Sequence, residues 1–162
     1  MPIAVLYNRK SNMLTDHTGT VINAKYFKEI IDGLPVITGF AVNNGSFRSN
    51  DYGQVELCLK PALALISLIN TDYADLNVKI VNLSLSNRLV VFLNLANGKQ
   101  IKILLPFYFD IDAPPTQPQM DHETRVLENK LDELRDVLKY VKQRNSTCSE
   151  INLLFKDQAV VK

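Results

Sequence analysis

Residues 78–105 read VKIVNLSLSNRLVVFLNLANGKQIKILL, and this stretch decides the fold. It holds three β-type runs, which are separated by Ser86-Asn87 and by Asn97-Gly98. An Asn-Gly pair between two alternating runs favours a type I′ hairpin turn, in which both central residues have positive φ. The sequence therefore predicts a three-stranded meander, with strands at 78–85, 88–95 and 100–105.

The middle run differs from its neighbours because it is apolar on both faces. In the outer two runs, polar and apolar positions largely alternate, which suits one buried and one wetter face. We therefore expect residues 88–95 to lie at the centre of the sheet, with helices covering at least one side.

Composition places the chain among ordinary globular proteins. At 162 residues, with 46% hydrophobic and 22% charged residues, one domain with a sizeable core is expected. With a net charge of +1, the chain lacks the strong positive charge that is typical of proteins that bind nucleic acid. Two cysteines, Cys58 and Cys148, are too few for a disulfide framework and lack zinc-site spacing. No run approaches the ~18 apolar residues of a membrane span, so we expect the chain as given to be soluble.

Before the meander, the sequence predicts a strand at 2–7 and a hairpin at 13–22 around a turn that starts at Asp16. A short helix follows, with Asn23 as its N-cap and Gly33 as its C-cap. Because of Pro35, the extended residues 34–37 are assigned to a sheet edge or a connector. The next elements are a long loop at 38–53 and a helix whose regular part spans 60–70, with Pro61 in its first turn.

After the meander, the four prolines of residues 106–121 predict a stiff surface connector. Asp121 is then expected to cap a helix at 122–143, whose leucine stripe suits packing on the sheet and, less well, a coiled coil. A last strand at 151–161, bent at Lys156-Asp157, returns to the sheet. The predicted fold is α+β: a curved mixed sheet with both long helices on one face.

Catalysis has little support in this sequence. His17 and His122 are isolated, and one acidic pair, Asp110 and Asp112, lies beside prolines, where a solvated loop is the usual meaning. The chain has no phosphate-binding glycine loop, no nucleophile elbow and no ordered Ser/His/Asp set. We expect no enzyme activity, no cofactor, no metal and no small-molecule substrate, which leaves a role in protein interaction.

The predicted terminal strand is the natural place for such an interaction. A strand at a sheet edge exposes unpaired backbone groups, which must be protected or used. Lys156 and Asp157 suit protection, and the apolar run 159–161 suits pairing with a partner strand. The residues alone favour protection, because natural edges are usually blunted.

Four segments resemble the extracytoplasmic β-domain of the FtsQ/DivIB family of bacterial cell-division proteins. PIAVL at the start is similar to the family's passage from its POTRA domain into the β-domain. MLTDHTGTV is similar to its hairpin, and LPVITG to its LP-x-(L/I)-x-G motif. INLLFKDQAVVK is similar to its terminal strand, although Leu154 stands where the family has a basic residue. The segments begin at residues 2, 13, 34 and 151.

The resemblance implies a non-enzymatic divisome scaffold, with residues 1–8 ending a POTRA-like segment and 9–162 forming the β-domain. Family members bind FtsB, or DivIC, together with FtsL by strand addition, and help to control septal peptidoglycan synthesis. Carried over, the partner-binding residues are Phe155, Lys156, Asp157, Gln158, Ala159, Val160 and Arg88.

The same resemblance implies a place on the extracytoplasmic side of the bacterial inner membrane, at the division septum. The full-length protein would then be anchored by a single span that this chain lacks. The competing hypothesis is an envelope assembly or transport adaptor that has a similar fold and binds a different partner.

Overall fold

The computed structural model describes residues 1–8, 11–24, 27, 31–40, 52–85, 87–108, 116–156 and 158–162. Several predicted features lie outside these ranges. They are most of the helix at 24–31, most of the loop at 38–53, residues 109–115 with Asp110 and Asp112, and Asp157 of the predicted binding site.

The described residues form an α+β fold in which two helices accompany a nine-stranded mixed sheet. The sheet order is β3-β2-β1-β4-β5-β6-β7-β8-β9, so from β4 onward neighbouring strands follow the chain. The bounds are β1 Ala4–Asn8, β2 Ser11–Thr15, β3 Val21–Asn23, β4 Val36–Thr38, α1 Tyr52–Asp72, β5 Val78–Asn82, β6 Arg88–Asn94, β7 Gln100–Pro106, α2 Gln117–Gln143, β8 Glu150–Phe155 and β9 Gln158–Val161.

The predicted meander is confirmed as the antiparallel strands β5, β6 and β7. The turn between β6 and β7 differs from the predicted type I′ form, because Gly98 has positive φ (78°) and Asn97 does not. The amide of Gly98 donates to the carbonyl of Leu95, and that of Leu95 donates to the carbonyl of Lys99. A turn followed by one left-handed glycine is the usual geometry of a three-residue hairpin loop. The middle strand, β6, lies inside the sheet but not at its centre, because five strands lie on one side and three on the other.

The assignment of the Pro35 segment to a sheet edge or a connector was wrong. Strand β4 lies inside the sheet, parallel to both β1 and β5. Pro35 precedes the strand, so the ladder does not need the amide that proline lacks. Its carbonyl accepts from the amide of Val5 at 2.9 Å and extends the contact with β1.

The hairpin predicted at 13–22 is confirmed by the pairing of β2 with β3. The side chain of Asp16 accepts from the amides of Thr18 and Thr20, at 2.9 and 3.0 Å. Gly33, the predicted C-cap, ends a 3₁₀ turn at Ile31–Gly33 and lacks the positive φ that a glycine C-cap adopts. Strand β1 pairs with β2 and β4 inside this sheet, and the division of the chain at residue 8 stays a prediction.

Both helices begin earlier than predicted. Helix α1 begins at Tyr52 and carries Pro61 in its interior. Leu59 and Ala62, on either side of the proline, are fully buried, and this packing holds the helix against the sheet. Helix α2 begins at Gln117 and is capped by Thr116 instead of Asp121. Thr116 and Gln119 form a reciprocal capping box, so a pair of neutral side chains closes the helix start.

One core cluster joins both helices to the sheet, so the prediction that they share a face is confirmed. On that face the strands bury alternate residues, such as Ile37, Val81, Val91, Ile103 and Ile151. We call this the helix face. The residues between them, such as Phe92, Leu104 and Asn152, lie on the opposite side, which we call the open face.

The end of the chain forms a hairpin instead of one bent strand. Strand β8 pairs parallel with β7 across the α2 crossover, and β9 folds back antiparallel onto β8. The prediction that the chain returns to a sheet edge is confirmed, with β9 as the edge strand.

Candidate functional site

Strand β9 offers two residues for pairing with another chain. Glu150 and Lys162 exchange both backbone hydrogen bonds, since Lys162 donates at 2.9 Å and Glu150 donates back at 3.2 Å. Hydrogen-bonded and non-hydrogen-bonded pairs alternate in an antiparallel ladder. Val160 therefore points its backbone groups toward β8, whereas Ala159 and Val161 point theirs away from the sheet.

A β-bulge lies opposite Ala159. Between the pairs Asn152–Val160 and Phe155–Gln158, strand β8 has two residues where β9 has one. The extra backbone amide belongs to Leu154, and the side-chain oxygen of Asn152 accepts from it at 3.0 Å. This hydrogen bond satisfies the amide that the bulge removes from the ladder.

Three charged side chains cross the open face where β9 meets β8. The carboxylate of Glu150 accepts from Lys102 Nζ at 2.9 Å and from Lys162 Nζ at 3.0 Å. These contacts, first from Lys102 and then from Lys162, lower the pKa of Glu150 below its ordinary value. The carbonyl of Lys162 also accepts from the amide and hydroxyl of Ser149. We call the Lys102–Glu150–Lys162 group the lysine clamp.

Exposed apolar side chains gather around this edge. Phe155, Val160 and Val161 are 52%, 38% and 44% exposed, and Ala159 packs partly against the core. Cross-strand pairing places Val160 on the open face with Asn152, and Val161 on the helix face with Ile151. Apolar surface therefore lies on both sides of the backbone groups that point outward, as a docked strand requires.

Helix α2 contacts the hairpin at the end of β8. The ammonium group of Lys130 donates to the carbonyl of Phe155 at 2.8 Å and pairs with Glu133 at 2.7 Å. Tyr140, which is half-exposed, lies on the same flank of α2, because residues 130, 133, 137 and 140 follow one side of a 3.6-residue helix. Lys130 thus ties this flank of α2 to the last residue of β8.

The structure brings together five of the seven predicted binding residues. Phe155, Lys156, Gln158, Ala159 and Val160 all lie in the β8–β9 hairpin, and Asp157 lies outside the described residues.

Arg88 is the exception. It is half-buried at the start of β6, on the open face, where it pairs with Pro106 and donates to the side chain of Asn87 at 3.0 Å. Three strand spacings, about 14 Å, separate it from β9.

Sequence reasoning missed three residues that shape the edge: Glu150, Asn152 and Lys130. Glu150 and Asn152 act across paired strands or in a bulge, and Lys130 acts from α2 on β8, so these roles depend on the strand register and on where the helix packs. No local pattern in the sequence states that register.

The other candidate groups add little chemistry. His17 and His122 are exposed, and Cys148 is a half-buried thiol whose pKa is raised by burial. In the part of the chain that the structure describes, no group of three or more His, Cys, Asp or Glu side chains could hold a metal. Among the same residues, no helix is long and apolar enough to cross a membrane.

Comparison with known proteins assigns no family. No protein-family model matches the chain, and no curated protein matches it. The geometry of the β9 edge and the four segments noted in the sequence are therefore the features that bear on function.

Proposed function

We propose that this chain is a non-enzymatic interaction domain that binds an extended segment of a partner protein by strand addition at β9. One observation carries the proposal: β9 ends the sheet with the backbone groups of Ala159 and Val161 pointing outward, between exposed apolar side chains. In strand addition, main-chain hydrogen bonds supply affinity, and side-chain contacts on alternate positions supply specificity.

The resemblance supplies the partner class in this proposal. The chain would be the β-domain of an FtsQ/DivIB-type protein, on the extracytoplasmic side of the inner membrane at the septum. There it would bind an FtsB/DivIC-like protein together with an FtsL-like protein, and so help to regulate septal peptidoglycan synthesis. In support, the four resembling segments coincide with β1, with the β2–β3 hairpin, with the entry into β4 and with the β8–β9 hairpin.

Arg88 fits the proposal as a second contact. A strand added beside β9 lies about 19 Å from β6, by the usual spacing between neighbouring strands. An acidic partner side chain would therefore reach Arg88 only if the partner continues across the open face beyond the added strand.

The backbone amide of Ala159, which points away from β8, allows a direct test of strand addition. Proline at 159 removes an amide that faces solvent, and edge strands tolerate proline in that position. Ala159→Pro should therefore weaken binding of the extracytoplasmic part of the same organism's FtsB-like protein about tenfold or more, with the fold intact. Binding is measured by calorimetric titration, and folding by circular dichroism and urea unfolding.

Two variants act as controls. Ala159→Gly keeps the outward amide and should bind nearly as well as the wild type. Val160→Pro removes an amide that pairs with β8, so it should lower the free energy of unfolding as well as the affinity. Unchanged affinity in a folded Ala159→Pro variant would refute strand addition. No binding by the wild type, with the FtsL-like protein present, would favour the envelope-adaptor hypothesis.

A further inference from the structure

The sequence of β9 specifies its own register poorly. Strand register is normally fixed by alternation, because a slip of one residue moves every side chain to the other face of the sheet. Ala159, Val160 and Val161 are all apolar, so their order gives no such alternation. Burial even favours a slip, since Val160 would offer more apolar area to the core than Ala159 does.

A slip of one residue would change what the edge displays. With Val161 opposite Asn152, and Lys162 opposite Ile151, Val161 would point its backbone groups inward. Val160 and Lys162 would then face outward in place of Ala159 and Val161. The side chain of Val160 would move to the helix face, and that of Lys162 would leave the open face.

The lysine clamp distinguishes the two registers. In the observed register Lys162 lies beside Glu150 on the open face, and its ammonium group reaches the carboxylate at 3.0 Å. The carboxylate is held from the other side by Lys102, whose partner in the parallel β7–β8 ladder is Glu150 itself. In the slipped register Lys162 lies on the opposite face from Glu150, so this contact is lost.

We propose that Glu150 is the residue that sets the register of β9, and thereby selects Ala159 and Val161 as the groups displayed at the edge. Asn152 acts in the same direction at the other end of the strand, because its side chain satisfies the amide of Leu154 in the bulge. Two polar contacts on β8 thus fix a register that the apolar residues of β9 leave open. The effect on partner recognition rests on the proposed function, whereas the register does not.

Hydrogen exchange of single amides in the whole chain, followed by NMR, tests the proposal. In the wild type the amides of Val160 and Lys162 should be protected, and those of Ala159 and Val161 should exchange quickly. In Glu150→Gln, exchange at Val160 and Lys162 should become about 2- to 5-fold faster, as expected for loss of the partly exposed Lys162–Glu150 ion pair. Protection should appear at the amide of Val161, which the slipped register turns inward.

The matched control is Asp136→Asn, which removes an equal charge from an exposed ion pair with Lys139 on α2. It should leave all four β9 amides unchanged, and Lys162→Met should reproduce the effect of Glu150→Gln. Unchanged exchange in Glu150→Gln would overturn the proposal. Faster exchange at Val160 without protection at Val161 would also overturn it, since that pattern means fraying. A shifted register in a chain that binds no FtsB-like protein would refute only the proposed function.

Discussion

Gly39 is a position where a single added methyl group should destabilise the fold. It follows β4 with φ of +76°, a conformation that L side chains rarely adopt. A Cβ there would lie 2.7 Å from the side-chain oxygen of Asn82 and 2.7 Å from the backbone nitrogen of Ser84. Those two atoms are hydrogen-bonded to each other at 2.8 Å. Gly39→Ala would therefore press on the hydrogen bond that shapes the chain after β5, beside the end of β4.

The expected cost has two parts. Left-handed backbone costs a non-glycine residue roughly 1–2 kcal/mol, and forcing an atom into an occupied space costs about 1–3 kcal/mol. A less flexible unfolded chain offsets about 0.4–1 kcal/mol of this. We expect Gly39→Ala to lower the free energy of unfolding by about 2–4 kcal/mol, measured by urea denaturation followed by circular dichroism.

Gly98 provides the control for this experiment. Its φ is +78°, nearly the same as at Gly39, but no heavy atom lies within 4 Å of the position of its Cβ. Gly98→Ala should therefore show the backbone cost alone, about 1 kcal/mol after the unfolded-state offset. Equal destabilisation by the two variants would refute the steric part of the reasoning. It would mean that the segment around Ser84 moves aside at no cost.

Two further predictions concern side chains that titrate. Burial and the hydrogen bond to Asp132 raise the pKa of Tyr73 to about 12, so its stabilising effect should be complete below pH 10 and lost as the pH rises through 12. In an ultraviolet titration, Tyr73→Phe should lack the late tyrosinate step that the wild type shows. A step near pH 10 that is present in the wild type and absent from Tyr73→Phe would contradict this prediction. The pKa of Glu150 is shifted in the opposite direction, so its contribution to stability is present above the ordinary pKa of 4.5 and lost as the pH falls through the lower folded value. The unfolding free energies of wild type and Glu150→Gln should therefore differ at pH 7 and converge well below pH 4.5. A difference in unfolding free energy that persists in acid would argue against the lysine clamp.

The sequence was most informative where local pattern and tertiary structure agree. Alternation and turn residues in 78–105 predicted three adjacent strands, and the leucine stripe of α2 predicted the face that it buries. Both patterns are repeated over several residues, so no single exception could hide them.

The errors occurred where one residue was given too much weight. Pro35 suggested an edge and Pro61 a helix start, but the ladder does not use the amide of Pro35, and packing on the core outweighs the bond that Pro61 removes. The β9 edge was predicted as a strand, but its bulge and lysine clamp were not. Glu150 meets Lys102 and Lys162 only through the register of three strands, which residue order alone does not determine.

The order of the strands determines when the β9 edge forms during synthesis. From β5 to β9 each strand pairs with the one before it in the chain, and β8 reaches β7 only after α2 has crossed the sheet. During synthesis from the N-terminus, the hairpin that carries the outward groups of Ala159 and Val161 is therefore the last part of this sheet to emerge and pair. A partner that recognises β9 would engage only molecules whose sheet is already built, so binding would act as a check that folding is complete.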